Sequence, residues 1–247
     1  MHFKLLACDV LTRETCHCIA RCPHTVDPAF TAKGEHNVPG RLRELLQAQI
    51  DAAASGETTY DAVLLGYGLC GNATLGLRAG RFPLVIPRAH DCTTLFLGSK
   101  EAFKEHFGDN PSQTWASVGY SERGGSILSD TSTREWLGQV QNYEELVATY
   151  GEENAKFIFD TLNVTHDSSS IWFIDVPETR NDLIFRLVEE QARQTQKEIR
   201  RIAGSIRMIE GLLAGNWPES EYLVVPPGHE VEGVYDLDEV IRARPVA

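Results

Sequence analysis

Short runs of consecutive apolar residues alternate with helical patterns along the first half of the chain. Three of these runs predict buried strands, at Phe3–Cys8, Asp61–Gly66 and Pro83–Pro87. Between the first two runs, apolar residues at helical spacing begin after Pro39 and end before Gly56, which predicts an amphipathic helix. Because the apolar runs are continuous rather than alternating, the strands are expected to form a parallel sheet covered on both faces.

The rest of the pattern completes the prediction of an α/β fold. The other predicted elements are a short helix at Thr12–Arg21 within an otherwise irregular segment 9–38, helical segments at Ala73–Ala79, Thr93–Gly98 and Ser99–Phe107, a strand at Trp115–Val118, helices at Asn142–Tyr150 and Glu152–Leu162, a strand at Ser170–Val176, a helical stretch at Asn181–Leu213 with Gly204 as a candidate break, and a strand at Tyr222–Val225. We therefore predict an open, doubly wound, Rossmann-like parallel sheet with a second helical or α/β lobe.

Charge and residue content divide the chain near residue 110. Among its 247 residues, Asp and Glu outnumber Lys and Arg by 35 to 23, and nearly all of the net charge of −12 falls after residue 110. All six cysteines lie in the first 92 residues, and all four tryptophans lie after residue 110. We therefore predict a Cys-bearing α/β lobe over residues 1–110 and an acidic α/β lobe with long helices over residues 111–247, or else one continuous domain.

Composition and charge exclude several classes of protein. An acidic chain without a basic cluster lacks the electrostatic footprint for phosphate backbones, so nucleic acid and anionic membrane are poor partners. The longest apolar runs are far shorter than the ~20 residues of a spanning helix. The N-terminal sequence enters a strand pattern directly, without a signal-peptide pattern, so we expect a cytoplasmic protein. In that reducing compartment, cysteines are metal ligands, catalytic groups or buried side chains more often than disulfides.

Three cysteines, Cys8, Cys70 and Cys92, follow the carboxyl ends of three predicted parallel strands. In open α/β sheets the ligand crevice lies outside those ends, at a topological switch point, so neighbouring strands would bring the thiols together. Three thiolates and a fourth position suit zinc or an iron–sulfur cluster, with His36 as a candidate nitrogen ligand. The alternative is that the three cysteines are buried small side chains that never meet.

The loop around Cys70 is rich in glycine. It runs Gly-Tyr-Gly-Leu-Cys-Gly-Asn over residues 66–72, and Gly68 and Gly71 allow close backbone approach to an anion, a thiolate or a cofactor. Asn72 adds a side-chain donor. The G-x-G-x-x-G spacing also matches a dinucleotide fingerprint, but weakly, since a cysteine lies inside the loop and no acidic residue stands clearly at the expected offset. The other interpretation is a tight turn from strand to helix without a ligand.

Polar residues directly follow the third strand, in the run Arg-Ala-His-Asp-Cys over residues 88–92. His90 is a candidate ligand or general acid–base group near neutral pH, and Asp91 is a candidate to orient an imidazole. Together with Asn72, these two residues are the candidate catalytic groups. In the alternative interpretation, Asp91 caps the following helix and His90 lies on the surface.

Two further motifs have more than one interpretation. Cys16, Cys18 and Cys22 form the densest Cys/His cluster, but their C-x-C-x₃-C spacing matches neither zinc knuckles nor ferredoxin runs, so they are a second metal or redox site or incidental thiols. On a helix over Thr12–Arg21, only the last two of these cysteines would share a face. The acids of Glu152–Asn154 either favour a helix start or reach the crevice from the second lobe.

The run from Tyr60 to Ser99, with Gly-Tyr-Gly-Leu-Cys-Gly-Asn and Pro-Arg-Ala-His-Asp-Cys-Thr-Thr-Leu-Phe-Leu-Gly-Ser, resembles the domain-of-unknown-function family numbered 1638. The resemblance extends to Leu5–Cys8, Lys33–His36 and Tyr150–Ala155, and so covers most of residues 3–215. The positions that match the family's motifs are Cys8, His36, Cys70, His90, Asp91 and Cys92. The positions that depart from the pattern are Cys16, Cys18 and Cys22.

The resemblance carries no activity; it implies a bacterial or archaeal cytosolic protein found alongside corrinoid-dependent methyltransferase systems. We therefore hypothesise a metal-dependent enzyme of one-carbon or methyl-transfer metabolism, which holds its metal at Cys8, Cys70 and Cys92 and acts on a small-molecule substrate. The alternative is a non-catalytic accessory that handles a metal or a corrinoid and docks with a corrinoid protein or methyltransferase. A nucleotide-binding enzyme that uses the Gly66–Gly71 loop ranks third.

Overall fold

The computed structural model describes residues 1–70, 72–110, 113–123, 169–234 and 238–246, with the backbone alone at His36 and Asn37. Gly71, the predicted helices at 142–150 and 152–162 and the Glu152–Asn154 motif lie outside the described residues. Numbered in chain order, the described strands are β1 (His2–Cys8), β2 (Thr25–Thr31), β3 (Ala62–Gly66), β4 (Leu84–Pro87), β5 (Trp115–Ser117), β6 (Ser170–Asp175), β7 (Glu198–Ala203), β8 (Tyr222–Val225), β9 (His229–Gly233) and β10 (Ile241–Pro245). The described α-helices are α1 (Thr12–Arg21), α2 (Pro39–Ser55), α3 (Cys92–Leu97), α4 (Lys100–Phe107), α5 (Val118–Glu122), α6 (Asp182–Gln194) and α7 (Arg207–Ala214), with short 3-10 turns at Asp9–Leu11, Lys33–Asn37 and Pro177–Thr179.

Five strands form the main sheet in the order β2-β1-β3-β4-β8. The first four run parallel, and β8 pairs antiparallel with β4 at the edge. The predicted α/β open sheet is therefore confirmed, and its strands β3 and β4 are buried throughout, as their continuous apolar runs require. Because β2 lies on one side of β1 and β3 on the other, the strand order reverses between β1 and β3, which makes this the topological switch point.

Helix α2 packs one apolar stripe into the core of the main sheet. Pro39 stands at its first turn, where a backbone N–H is not needed, and the N–H of Gly56 closes its last turn. Leu42, Leu46 and Ile50, each four residues from the next, are its buried side chains. Burial of each such side chain stabilises the fold by about 1.5–3 kcal/mol, so this stripe is the main contribution of the helix to the stability of the folded state.

A second sheet is three-stranded and parallel, in the order β5-β6-β7. The residues that follow its strands contact residues that follow β1 and β4 of the main sheet. Gly119, in α5, lies against the carbonyl oxygen of Val10, and the Ser205 N–H donates to the carbonyl oxygen of Phe96 over 2.9 Å. Ile174 belongs to the same hydrophobic core as the main sheet. The elements at the carboxyl ends of the two sheets therefore meet.

The second half of the chain also contributes to the main sheet, because β8 is its edge strand. The division into two lobes near residue 110 stays a prediction. Among the residues that the structure describes, no helix is long and apolar enough to cross a membrane.

Three predicted segments differ from the structure. The segment 9–38, predicted to be irregular apart from its helix, contains β2, which accommodates Pro28 as the edge strand of the main sheet. Residues 73–79, predicted to be helical, form turns and an isolated bridge. The stretch Asn181–Leu213 is not one long helix, because β7 occupies its middle and pairs with β6.

A buried carboxyl group lies where the two sheets meet. Glu14, in the first turn of α1, is 1% exposed, and its Oε1 accepts a hydrogen bond from the Thr179 hydroxyl over 2.6 Å. Its other oxygen, Oε2, is buried and has no hydrogen-bond partner among the residues that the structure describes. Burial raises the pKa of this carboxyl above its ordinary value of 4.5, although the hydrogen bond from Thr179 lowers it, and the charge of Glu122 raises it further.

We expect Glu14→Gln to stabilise the protein near neutral pH and to lose this advantage in acid. A carboxyl with a raised folded-state pKa contributes stability below its unfolded value of 4.5, and this contribution is lost as the pH rises through the folded-state pKa. Glutamine does not ionise, so the Tm of the variant minus that of the wild type should grow as the pH rises from 4.5 through the folded-state pKa of Glu14. The exposed Glu57→Gln is the control, and a pH-independent difference for Glu14→Gln would contradict the prediction.

Candidate functional site

The three cysteines predicted to converge follow neighbouring strands of the main sheet. Cys8 is the last residue of β1, Cys70 lies four residues after the end of β3, and Cys92 begins α3, five residues after the end of β4. Since β1 pairs with β3 and β3 pairs with β4, their carboxyl ends lie side by side. Cys8 and the Cys70 loop flank the switch point between β1 and β3, where open α/β sheets place their ligand crevice.

The loops after β3 and β4 are packed against each other. The Leu69 N–H donates to the Ala89 carbonyl oxygen over 3.0 Å. A Cβ on Gly68 would lie 2.7 Å from both the Cα and the N atom of Asp91, so only glycine allows this close approach. The two loops therefore hold each other in place.

The loop after β3 contains two residues with left-handed backbone conformations. The φ values are 46° at Cys70 and 69° at Asn72, and such conformations cost of order 1–3 kcal/mol in residues other than glycine. The exposed Asn72 is held from α2, because the Arg43 guanidinium donates to its carbonyl oxygen over 2.8 Å. Backbone strain of this kind clusters at functional sites. A simple tight turn would be better served by glycine at position 70.

The charge of one thiol affects the ionisation of another, which places the thiols within electrostatic reach: Cys8 raises the pKa of Cys70, and both raise the pKa of Cys92. Burial is the main cause of the high pKa of Cys92, followed by the negative charges of Asp91, Cys70 and Cys8. Burial likewise raises the pKa of Cys70 to about 12, with the charges of Cys8 and Asp91 next in effect. Burial raises the pKa of Cys8 to about 11. Without a bound cation, the three thiols are therefore protonated at neutral pH.

Backbone N–H groups favour the thiolate form of all three cysteines. Although burial dominates, the N–H groups of Gly68 and Cys92 lower the pKa of Cys70, those of Val10 and Asp9 lower the pKa of Cys8, and that of Cys92 lowers the pKa of its own thiol. N–H groups that point at a sulfur atom stabilise its thiolate. Three soft sulfur donors with such support are a suitable ligand set for zinc or an iron–sulfur cluster.

Two residues beside the thiols were missed by the sequence analysis. Lys33, in the turn after β2, opposes the raised pKa of Cys8 by its positive charge, and its Nζ lies 3.5 Å from the ring centroid of Tyr120. Tyr67 is 2% exposed, and its hydroxyl shares a hydrogen bond with that of Thr31. Lys33 lies in a motif that was noted for His36, and Tyr67 lies in the glycine-rich run that was noted for Cys70. Only the fold places these two side chains near the thiols.

Whether the predicted ligands bind a metal is not tested by the structure. Within the described parts of the chain, no three Cys, His, Asp or Glu side chains form a ready-made metal-binding geometry. The backbone of His36 lies in the turn after β2, which neighbours β1, whereas its side chain lies outside the described residues. The assignment of Cys8, Cys70, Cys92 and His36 as metal ligands stays a prediction.

His90 and Asp91 are placed as the alternative interpretation predicted. The Asp91 carboxylate accepts hydrogen bonds from the N–H groups of Thr93 and Thr94, over 3.0 and 3.4 Å, and so caps α3. The His90 side chain is half exposed and stacks on Phe103, with ring centroids 5.4 Å apart. Its Nδ1 lies 3.5 Å from Asp91 Oδ2, and the hydrogen bond to Asp91 raises the pKa of the imidazole. A catalytic role for either residue stays a prediction.

The other cysteine cluster lies on and directly after α1. Cys16 is exposed, whereas Cys18 is buried and Cys22 is half-buried. Cys18 and Cys22 line one pocket together with Glu210 of α7, as expected for residues on one helix face. The Cys22 thiol donates to the Leu213 carbonyl oxygen over 3.4 Å.

Fold and site together define an open-sheet α/β protein with three cysteines around the switch point of its main sheet. A family model described as "Protein of unknown function (DUF1638)" matches residues 30–213. The chain belongs to this family, as its motifs predicted, and the matched residues include Cys70 and Cys92 but begin after Cys8. Comparisons with curated proteins and with solved structures found no match.

Proposed function

We propose that the protein is a metal-dependent enzyme whose metal is held by Cys8, Cys70 and Cys92, with His36 near the fourth coordination position. The observation that carries this proposal is the position of the three thiols, at or just after the carboxyl ends of three neighbouring strands, with Cys8 and Cys70 on either side of the switch point of the main sheet. The effect of Cys8 on the pKa of Cys70, and of both on the pKa of Cys92, supports it, because thiols far apart would not influence one another's ionisation.

The donor set favours zinc or an iron–sulfur cluster over harder cations, which prefer oxygen ligands. A bound zinc would supply Lewis-acid activation of a thiol or water, and a three-cysteine cluster would leave one iron free for substrate. The chain's own part is to release the thiol protons on ligation and to stabilise the thiolates by the N–H groups of Val10, Gly68 and Cys92.

The reaction class that we propose is one-carbon or methyl transfer with a small-molecule substrate in the cytoplasm. This part rests on the resemblance to a family found alongside corrinoid-dependent methyltransferase systems, in which a partner protein would supply the corrinoid. In this proposal Asn72, His90 and Asp91 serve the substrate, and the loops after β3 and β4 that carry them hold it beside the thiols.

A second candidate function is a non-catalytic accessory protein that handles a metal or corrinoid and docks with a methyltransferase. One observation favours it: the Asp91 carboxylate caps α3 and the His90 ring stacks on Phe103, so both polar groups already have structural partners. A nucleotide-binding enzyme ranks third, because the close packing against Asp91 already explains why residue 68 is a glycine, without a bound nucleotide.

The test is the metal content and absorption spectrum of protein purified without oxygen. We expect stoichiometric zinc, or iron with the brown absorption of a cluster. Titration of the metal-free protein with Co(II) should produce an intense thiolate-to-cobalt charge-transfer band. A small added thiol should then change the cobalt spectrum of an enzyme with an open coordination position, and leave that of a fully ligated accessory unchanged. Protein with neither bound metal nor the charge-transfer band would refute the proposal.

A further inference from the structure

The buried guanidinium of Arg88 ties the loop after β4 to the C-terminal part of the chain. Arg88 is 5% exposed. Its Nε donates to the Glu219 carbonyl oxygen over 2.7 Å, and its Nη1 donates to the carbonyl oxygens of Glu239, over 2.7 Å, and of Ile241. Its backbone N–H donates to the Glu221 carbonyl oxygen over 2.8 Å. A buried cation is thus satisfied by backbone oxygens from two separate segments.

This anchor is connected to two of the three thiols through the packed loops. Ala89 directly follows the anchor, and its carbonyl oxygen accepts the Leu69 N–H from the other loop over 3.0 Å. A Cβ on Gly68, two residues before Cys70, would lie 2.7 Å from the Cα and N atoms of Asp91, the residue that precedes Cys92. Arg88 therefore anchors one end of the loop after β4, and the contacts of this loop with the loop after β3 set the separation of the Cys70 and Cys92 sulfur atoms.

We infer that Arg88 is a positioning residue, whose fork of hydrogen bonds sets the geometry of the Cys70–Cys92 pair. This inference rests on the proposed function, in which the pair binds metal. Lysine keeps the positive charge but presents one compact ammonium group, so it does not replace a planar fork that serves three carbonyl oxygens. Those oxygens lie beyond residue 213, where the family match ends, so the C-terminal segment takes part in shaping the site.

The test compares the full chain with Arg88→Lys and with Arg88→Gln, which removes the buried charge and keeps an amide donor. Titration of each metal-free protein with Co(II) gives the affinity and the energy of the thiolate-to-cobalt band. A bifunctional thiol reagent, with linked peptides identified by mass spectrometry, gives the yield of Cys70–Cys92 linkage without any metal.

Two control variants separate positioning from stability. Arg81→Lys changes an arginine that precedes β4 and also donates to two backbone carbonyl oxygens, away from the carboxyl end of the strand. Tyr222 lies in β8, the strand paired with β4, and its buried hydroxyl donates a hydrogen bond to the Met208 carbonyl oxygen. Tyr222→Phe removes this hydrogen bond. It is expected to lower the thermal stability without changing the loop after β4.

We expect Arg88→Lys to weaken Co(II) binding by about 10–100-fold, the range for loss of an outer-shell partner, to shift the charge-transfer band and to change the linkage yield. Both controls should keep the wild-type values.

A lower Tm with wild-type affinity, band and yield overturns the inference, because Arg88 would then stabilise the fold alone. If the wild-type chain binds no Co(II), the proposed function fails and the linkage yield alone decides: an unchanged yield overturns the inference. If Arg88→Lys does not fold, the same outcomes are judged on Arg88→Gln.

Discussion

Replacing Cys70 by serine is expected to weaken metal binding by more than about 100-fold, beyond the loss that follows from removing an outer-shell partner. The serine hydroxyl stays protonated at neutral pH and is a harder ligand, so a thiolate ligand is lost outright. A metal at 100 times its Kd stabilises the folded state by about 2.7 kcal/mol, and the variant should lose this stabilisation. Thermal unfolding with and without added zinc, together with the metal content, measures both effects.

Cys8→Ser and Cys92→Ser should have the same effect, because each removes one sulfur donor from the same site. The matched control replaces Cys16, Cys18 and Cys22 together by serine, which we expect to leave the metal content unchanged. Metal loss from this triple variant would show that the ligands lie in the other cluster. Full metal occupancy and an unchanged Tm in the single variants would make the three thiols buried small side chains, and the accessory or nucleotide-binding candidates would then replace the proposed enzyme.

The centre of the main sheet could be predicted because its strands are buried on both faces. β3 and β4 are short continuous apolar runs bounded by turn residues, which is the pattern of a covered parallel strand. β2 could not be predicted, because an edge strand pairs on one side and is only partly buried. Its Pro28 is typical of a breaker in sequence, and the edge position is what accommodates it.

The predicted long helix after residue 181 was wrong for a different reason. The spacing of Ile199, Ile202 and Ile206 continues the apolar pattern of α6, so sequence periodicity alone favours helix. The structure ends α6 at Gln194, followed by Gln196 in the left-handed conformation with a φ of 55°, and then pairs β7 with β6. Pairing with a distant strand is a tertiary effect that local pattern does not contain.

The position of the candidate site could be predicted because the prediction depends only on where the parallel strands end in the sequence. The rule that ligands bind at carboxyl ends places Cys8, Cys70 and Cys92 together as soon as the strands are parallel neighbours. The surroundings could not be predicted in this way. Lys33 approaches Tyr120 across the contact between the two sheets, and Arg88 is satisfied by oxygens far along the chain.

Gly68→Ala is expected to destabilise the protein by about 1–3 kcal/mol and to weaken metal binding at the same time. A Cβ at this position would lie 2.7 Å from the Asp91 Cα and N atoms and 2.9 Å from the Ala89 carbonyl oxygen. These are backbone atoms, which do not rotate away as a flexible side chain does, so the loop after β4 must shift. Chemical unfolding gives the change in free energy, and titration with Co(II) gives the change at the site.

Gly40→Ala is the matched control, because a Cβ there meets nothing within 4 Å and alanine is favoured over glycine in a helix by roughly 0.5–1 kcal/mol. It should be at least as stable as the wild type, with wild-type affinity for Co(II). Equal stability of Gly68→Ala and Gly40→Ala would contradict the packing of the two loops. A less stable Gly68→Ala with unchanged affinity would show that this contact supports the fold and not the site. Loss of both together would locate the requirement in the packed loops, since the substitution leaves Cys70 and Cys92 in the chain and changes only how closely their loops approach.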